Sequence, residues 1–404
     1  MTPSTPADPL PPAERPHVVL APDAFKGTLD ATEVAVALRD GVLAAAPEAR
    51  VTSLAMADGG EGTLDALVAS WQSAVRTVET VDAIGRPTVA RWTVSPDGLI
   101  GVVELAEASG LPRVSDEPLQ PLHASTRGTG DVAAAVLDAG VHEVLVCLGG
   151  SASTDGGAGI LTGLGARLLD GEGRVVPDGG EGLARAAAID LSGLHPRARE
   201  VRWRLAVDVT NPLLGEHGAA AVFAPQKGAG PGEVAFLDEA LTRWANLLER
   251  ETAVRVHELP GAGAAGGVPA GLAAVLGAAL EPGALLVAEA VGLPAALSDA
   301  ALVITGEGSF DSQSVRGKVA DGVARLAAVS PARPPVVVVA GQVLLPAEQT
   351  RAAGIAAAFS VAPGPVDLEH LIPRTATRLS EVAASVTNLL QVAAWRSGGS
   401  SVGT

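Results

Sequence analysis

Short runs of Val, Leu and Ile, each closed by a polar or glycine-rich turn and followed by apolar positions at helical spacing, open the chain twice in succession. Residues 18–21 predict a buried strand, 22–28 a loop, and 31–46 a helix for which Asp30 and Glu33 are placed as a capping box. Residues 51–57 predict a second strand, Asp58-Gly59-Gly60-Glu61-Gly62 a loop, and 63–71 a second helix. The alternation returns at 302–305, 335–340 and 357–361, each run followed by a helix-compatible segment. Alternation of this kind predicts a parallel sheet flanked by helices.

Between these ends the texture changes. Residues 88–95 alternate as a strand after an Ile84-Gly85-Arg86-Pro87 turn, with 101–105 placed to pair with it, and further helices and strands follow to about 282. The pattern predicts a discontinuous α/β domain over 17–82 and 283–395, carrying a second α/β domain over 83–282. A length of 404 residues agrees, since one hydrophobic core seldom organises so long a chain. Residues 1–16, with six prolines, and residues 396–404 are expected to be disordered tails.

Composition narrows the picture. Hydrophobic residues make up 48% of the chain but aromatics only 2%, which favours close helix-on-sheet packing, and with no tyrosine none can be catalytic. A net charge of −17 opposes nucleic acid or an anionic membrane as partner, because both demand basic surface. No run approaches twenty uninterrupted apolar residues, and the lone Cys147 cannot form an internal disulfide. A soluble, cytoplasmic protein with Cys147 in a buried strand is the expectation.

Three lysines stand against 25 arginines, and each adjoins a glycine: Lys26-Gly27, Lys227-Gly228 and Gly317-Lys318. Where the chain otherwise uses arginine, these mark places for a compact ammonium beside flexible backbone, which suits phosphate. Glycine-rich turns after strands let backbone N–H groups curl round an anion. Five stretches qualify: Asp23 to Thr28, Asp58 to Thr63, Thr126 to Gly130, Gly149 to Gly157, and Asp208-Val209-Thr210-Asn211-Pro212 with the later Gln226-Lys227-Gly228. Carboxylates such as Asp58 and Glu61 suit Mg²⁺ or hydroxyl deprotonation, or else cap the next helix. Asp208 beside Asn211 suits a metal or polar ligand, or an Asx turn. Thr305-Gly306-Glu307-Gly308-Ser309-Phe310-Asp311-Ser312-Gln313, ending at Gly317-Lys318, lacks the first glycine and the Ser/Thr of a Walker A loop. Gly261-Ala262-Gly263-Ala264-Ala265-Gly266 matches a dinucleotide-binding pattern but follows a poor strand, and reads as a helix start. The seven histidines show no metal-ligand spacing, and no nucleophile elbow comes with a triad.

Taken in order, Asp23-Ala24-Phe25-Lys26-Gly27, Asp58-Gly59-Gly60-Glu61-Gly62-Thr63, Gly128-Thr129-Gly130, Gly149-Gly150-Ser151, Asp155-Gly156-Gly157, Asp208-Val209-Thr210-Asn211-Pro212, Gly263-Ala264-Ala265-Gly266 and Thr305 to Gln313 resemble the type I glycerate kinase family over about residues 17–390. The resemblance implies a Rossmann-like parallel-sheet domain with an inserted second α/β domain. It also implies ATP-dependent, Mg²⁺-assisted phosphorylation of D-glycerate, usually at the 2-hydroxyl. Ser309 and the Ser153-Thr154 pair depart from the family's usual residues.

On this reading Lys26 and Lys318 neutralise the transferring phosphoryl group, and Asp58 is base or Mg²⁺ ligand, with Asp208 and Asp311 as competitors. Asp23, Arg127, Lys227, Ser151, Asn211 and Gln313 are substrate-binding candidates. Arg127 has the better geometry for a carboxylate, since a guanidinium engages both oxygens. Gly59, Gly60, Glu61, Gly149, Gly150, Thr305, Gly306 and Glu307 are nucleotide- and phosphate-binding candidates. A glycerate 3-kinase, a kinase for a related small hydroxy acid, a nucleotide-cofactor oxidoreductase and a non-enzymatic sugar-acid or nucleotide sensor are the rivals, and homo-oligomerisation is left open.

Overall fold

The structure is a computed structural model that describes residues 15–364 and 367–398. Most of the tail expected over 1–16, and residues 399–404 of the other, lie outside the described residues, whereas 396–398 belong to the helix Thr375–Gly398. The chain divides into two compact units, Met1–Ala57 with Val287–Thr404, and Asp58–Leu286.

The first unit is a five-stranded, all-parallel sheet in the order Ala357–Ser360, Val336–Val343, Leu302–Phe310, His17–Leu20, Arg50–Ser53. Val18, Val19, Leu20, Val303, Ile304, Val338 and Val339 are all fully buried, which is why these runs are continuously apolar rather than alternating. The helix Ala31–Ala45 starts at the expected capping box, with Glu33 N–H donating to Asp30 Oδ1 at 2.8 Å and Asp30 N–H to Glu33 Oε2 at 2.9 Å. It packs on Thr375–Gly398 at Gly41, where a Cβ would lie 2.1 Å from the Ser380 carbonyl oxygen.

Two strands differ from expectation. The one expected over 51–57 ends at Ser53, while the central strand runs on from Thr305 to Phe310, because Val336–Val343 pairs with it as far as Phe310↔Val343. Gly306, Glu307 and Ser309 are therefore strand residues rather than loop residues.

The second unit holds a six-stranded mixed sheet in the order Ala279–Glu281, Arg202–Ala206, Glu143–Cys147, Ile100–Glu104, Pro87–Val94, Arg76–Val81. The first four are mutually parallel, and Pro87–Val94 runs antiparallel to both of its neighbours. Cys147 ends a buried strand, and burial pushes its thiol well above the ordinary range. The first boundary falls at 57/58 rather than 82/83: Arg76–Val81 pairs along its whole length with Pro87–Val94, and Glu104 holds the start of Thr63–Trp71. The second falls at 286/287 rather than 282/283, since the Gly283 N–H is bound by Asp208. No strand precedes Gly261, and the glycine pattern there leads through a 3₁₀ turn, Ala264–Gly266, into the helix Val268–Leu276. No described helix is long and apolar enough to cross a membrane.

Candidate functional site

In the first unit the carboxyl end of the parallel sheet gathers a polar group. The Asp23 N–H donates to the Gly306 carbonyl at 2.8 Å and the Thr305 hydroxyl to the Ala21 carbonyl at 2.7 Å, stitching the first loop to the central strand. Asp23 Oδ1 in turn accepts the Ala24 N–H at 2.7 Å. Phe25 and Leu29 then close a tight turn, with Phe25 N–H donating to the Leu29 carbonyl at 2.9 Å and Leu29 N–H returning at 3.1 Å. Gly27, at φ +77°, lets that turn form, and Lys26 projects from it into solvent.

Glu307, only 8% exposed, shares this end of the sheet, and its Oε1 accepts no hydrogen bond. Burial pushes its carboxyl up to about 7; Asp23 and Asp311 add to the rise, and the Ser314 hydroxyl and Lys318 ammonium oppose it. Asp311 forms an Asx turn with the Gln313 N–H at 2.8 Å, leaving the Gln313 side chain exposed, and Lys318 stands at the N-cap of the helix Val319–Val329.

In the second unit the loop at Asp58 is held from below. Asp58 Oδ1 accepts the Gly60 N–H at 3.1 Å. Neither Asp58 nor Glu61 caps the helix Thr63–Trp71; Glu104 does, its Oε1 accepting the Gly62 N–H at 3.0 Å and its Oε2 the Leu64 N–H at 2.8 Å. Burial pushes the Glu104 carboxyl up to about 7 against those two donors. Gly149 packs on the same loop, since a Cβ there would lie 2.5 Å from Gly60 Cα and 3.0 Å from the Glu61 nitrogen. The Gly150 position faces the Glu61 carboxylate, and Gly59 packs on Ala206. The Asp208 carboxylate accepts the Gly283 N–H at 2.8 Å, and a Cβ at Gly283 would come 2.0 Å from the Asp58 carbonyl and 3.1 Å from Asp208 Oδ2. The Asp58 backbone carbonyl and the Asp208 carboxylate thus both approach Gly283. No cluster of three or more His, Cys, Asp or Glu forms a metal cage among the described residues. Mg²⁺ needs no full protein cage, since it keeps waters and takes one or two carboxylates beside substrate phosphates, so the side chains of Asp58 and Asp208 are chemically suited to it.

Beside Glu61 and Gly62 opens a cavity of about 420 Å³ whose polar wall was not singled out from sequence. There Arg91 bridges Asp65 and Glu107, and Arg113 also binds Glu107, so both guanidiniums are already matched by carboxylates.

The remaining candidates separate by burial. Arg127, its side chain 43% exposed, opens the helix Arg127–Asp138 and reaches Asp131 at 3.5 Å. The Asn211 side-chain amide donates to the His217 carbonyl at 2.8 Å. Lys227 is 2% exposed and donates to the Ser151 hydroxyl at 2.7 Å and to the Ser153 carbonyl. The structure therefore brings Lys227 and Ser151 together, but in the interior and spent on each other. Burial pushes Lys227 down to about 7, with Asp155 opposing.

Two expected anion cradles give up donors to the fold. Thr126 gives its N–H and hydroxyl to the buried Asp155, at 2.7 and 2.8 Å, and Thr129 gives its hydroxyl to Ser109. The Gly157 and Gly159 N–H groups also go to Asp155, so these donors serve the fold rather than a ligand.

Lys227→Met is expected to destabilise the protein by about 1–3 kcal/mol, because the Ser151 hydroxyl and Ser153 carbonyl lose their donor inside. With a folded pKa near 7 against 10.5 when free, the unfolded chain binds more protons at Lys227 between those values. Wild-type stability therefore gains as pH rises through that window, and its lead over the variant widens. Urea unfolding at pH 7 and 9 reads both effects; equal midpoints at both would show that the ammonium holds nothing.

The glycerate kinase family profile matches residues 18–391. The chain is 42% identical over 344 residues to the glycerate 2-kinase of Escherichia coli K12, covering 85% of this chain and 90% of that protein. It is 40% identical over 378 residues to the glycerate kinase of Halalkalibacterium halodurans, covering 94% and 98%. A solved structure of a candidate glycerate kinase 2 from Salmonella typhimurium LT2 superposes with a TM-score of 0.86 at 41% identity, covering 95% of this chain and all of that one. An α/β enzyme of two compact units is the class defined. The chain belongs to the glycerate kinase family.

Proposed function

We propose that the protein transfers the γ-phosphoryl group of ATP to the 2-hydroxyl of D-glycerate, giving 2-phosphoglycerate and ADP. The observation that carries this reading is the placement of Lys26 and Lys318 after neighbouring parallel strands, His17–Leu20 and Leu302–Phe310, at the edge where open α/β sheets bind ligands. Phosphoryl transfer asks for alignment and charge neutralisation more than for covalent work by the protein. Lys26, exposed on its turn, and Lys318, at the start of its helix, supply ammoniums for the transferring group. Asp58 and Asp208 would hold Mg²⁺, which when bound would offset charge on the nucleotide phosphates. Asp23 and Gln313, beside the lysines, contact substrate. Gly59, Gly60, Glu61, Gly149 and Gly150 form the phosphate-facing turns of the second unit, and the strand residues Thr305 and Gly306 line the nucleotide's side of the first. Arg127, half exposed, takes the glycerate carboxylate.

A coupled ADP-release assay with D-glycerate, ATP and Mg²⁺, with the product read by phosphorus NMR, tests the reading. The expected product is 2-phosphoglycerate. Formation of 3-phosphoglycerate would keep the kinase and overturn the regiochemistry, and no turnover by folded protein would return the sensor reading.

A further inference from the structure

Of the three carboxyls at the sheet edge of the first unit, Asp23, Glu307 and Asp311, Glu307 is the buried one. An ionised carboxylate repels phosphate oxygens, and Glu307 carries no N–H with which to bind them. Its Oε1 is buried without a hydrogen-bond partner, on a residue 92% removed from solvent. Native proteins leave few such atoms, and each calls for a reason. The backbone beneath it is fixed: Glu307 pairs with Ala340 in the central strand, between Gly306↔Val339 and Ser309↔Gln342, so the carboxyl is carried by a rigid element.

We infer that the Glu307 carboxylate accepts the proton of the attacking substrate hydroxyl, so that Asp58 is left to the metal alone. The inference rests on the kinase reading above and goes beyond it by naming the proton acceptor. In the step, the hydroxyl O–H bond breaks as its oxygen bonds to the γ-phosphorus. The bond from that phosphorus to the bridging oxygen breaks, with its electron pair staying on ADP. The proton goes to Glu307 Oε1 and from there to solvent.

The neighbours of Glu307 support the role. Lys318 places an ammonium close enough to lower its proton affinity, while Asp23 and Asp311 raise it, and the Ser314 hydroxyl lies against it. A carboxyl poised near 7 by this balance, with burial as the largest cause, accepts a proton far more readily at neutral pH than an ordinary glutamate. The cationic and anionic groups thereby divide the labour: Lys318 faces the phosphoryl oxygens and Glu307 the hydroxyl.

The test compares the full-length wild type with Glu307→Gln and Glu307→Asp at saturating D-glycerate and Mg²⁺-ATP, with ATP binding measured by calorimetry. Glu307→Gln is expected to lower kcat by about 10²–10⁴-fold, with the ATP dissociation constant within about threefold of wild type. Wild-type kcat should rise with pH through about 7 and level above it, because the acceptor must be ionised in the complex. That limb should vanish in Glu307→Gln and persist, at lower kcat, in Glu307→Asp. The inference is overturned if Glu307→Gln retains kcat within about threefold, or if its ATP affinity falls as far as its kcat, which would make Glu307 a nucleotide contact. Should Glu307→Gln fail to bind ATP through misfolding, a folded Glu307→Asp with pH-independent kcat overturns it equally. A wild type that forms no phosphoglycerate would sink the parent reading and this one with it, whereas an active wild type matched by Glu307→Gln would sink this one alone.

Discussion

Lys26→Ala is expected to lower kcat for glycerate phosphorylation by about 10³-fold while leaving thermal unfolding within a degree or two of wild type. The magnitude follows from what a single cation contributes when charge spreads over the equatorial oxygens of a transferring phosphoryl group. The intact fold follows from position, because Lys26 is exposed at the tip of the Phe25 to Leu29 turn, whose hydrogen bonds are all made by backbone. Surface substitutions of this kind usually change stability by no more than about 0.5 kcal/mol. Lys26→Arg should recover only part of the loss, since a planar fork cannot occupy the site of a compact ammonium without moving the turn. Steady-state kinetics beside a melting curve decides the matter: near-normal turnover by a folded Lys26→Ala would remove Lys26 from the reaction.

The three lysines show how far the sequence alone could go. Each adjoins a glycine, and nothing local separates them. In the structure Lys26 is exposed, Lys318 is half-buried at a helix start, and Lys227 is enclosed, because its partners Ser151 and Ser153 lie 76 and 74 residues away. Burial is a property of long-range packing, which spacing does not carry. The helix at Thr63–Trp71 and the parallel sheet were legible because they depend on local periodicity. Glu104 was not singled out, although one signal was present: a lone charge in Val102-Val103-Glu104-Leu105-Ala106, where an otherwise apolar run predicts burial and a buried carboxylate needs donors. Glu307 was visible as a polar residue in a glycine-rich stretch, but that stretch read as a loop. Only its pairing with Val336–Val343 shows that Glu307 is held in a strand, with one oxygen unpartnered.

Asp155 is the residue whose loss the fold should tolerate least. Fully buried, it accepts from the Thr126 N–H, the Thr126 hydroxyl, the Gly157 N–H and the Gly159 N–H. It thereby fastens the start of the helix Arg127–Asp138 to that of Ala158–Gly163. Asp155→Ala would strand three buried N–H groups and a hydroxyl, at about 1–3 kcal/mol each before relaxation. That total, about 4–12 kcal/mol, is comparable with the whole stability of an ordinary domain, about 5–15 kcal/mol. The expected outcome is a chain recovered unfolded or aggregated, or one whose urea midpoint collapses. Asp155→Asn keeps one acceptor oxygen and should lose less. The carboxylate's position also bears on the site, because the Gly149-Gly150 turn that packs on Gly60 lies only a few residues before it. A soluble Asp155→Asn should therefore show weakened ATP binding together with reduced stability. An Asp155→Ala protein within about 1 kcal/mol of wild type would instead mean that water or relaxed backbone satisfies those donors, and that the hub is dispensable.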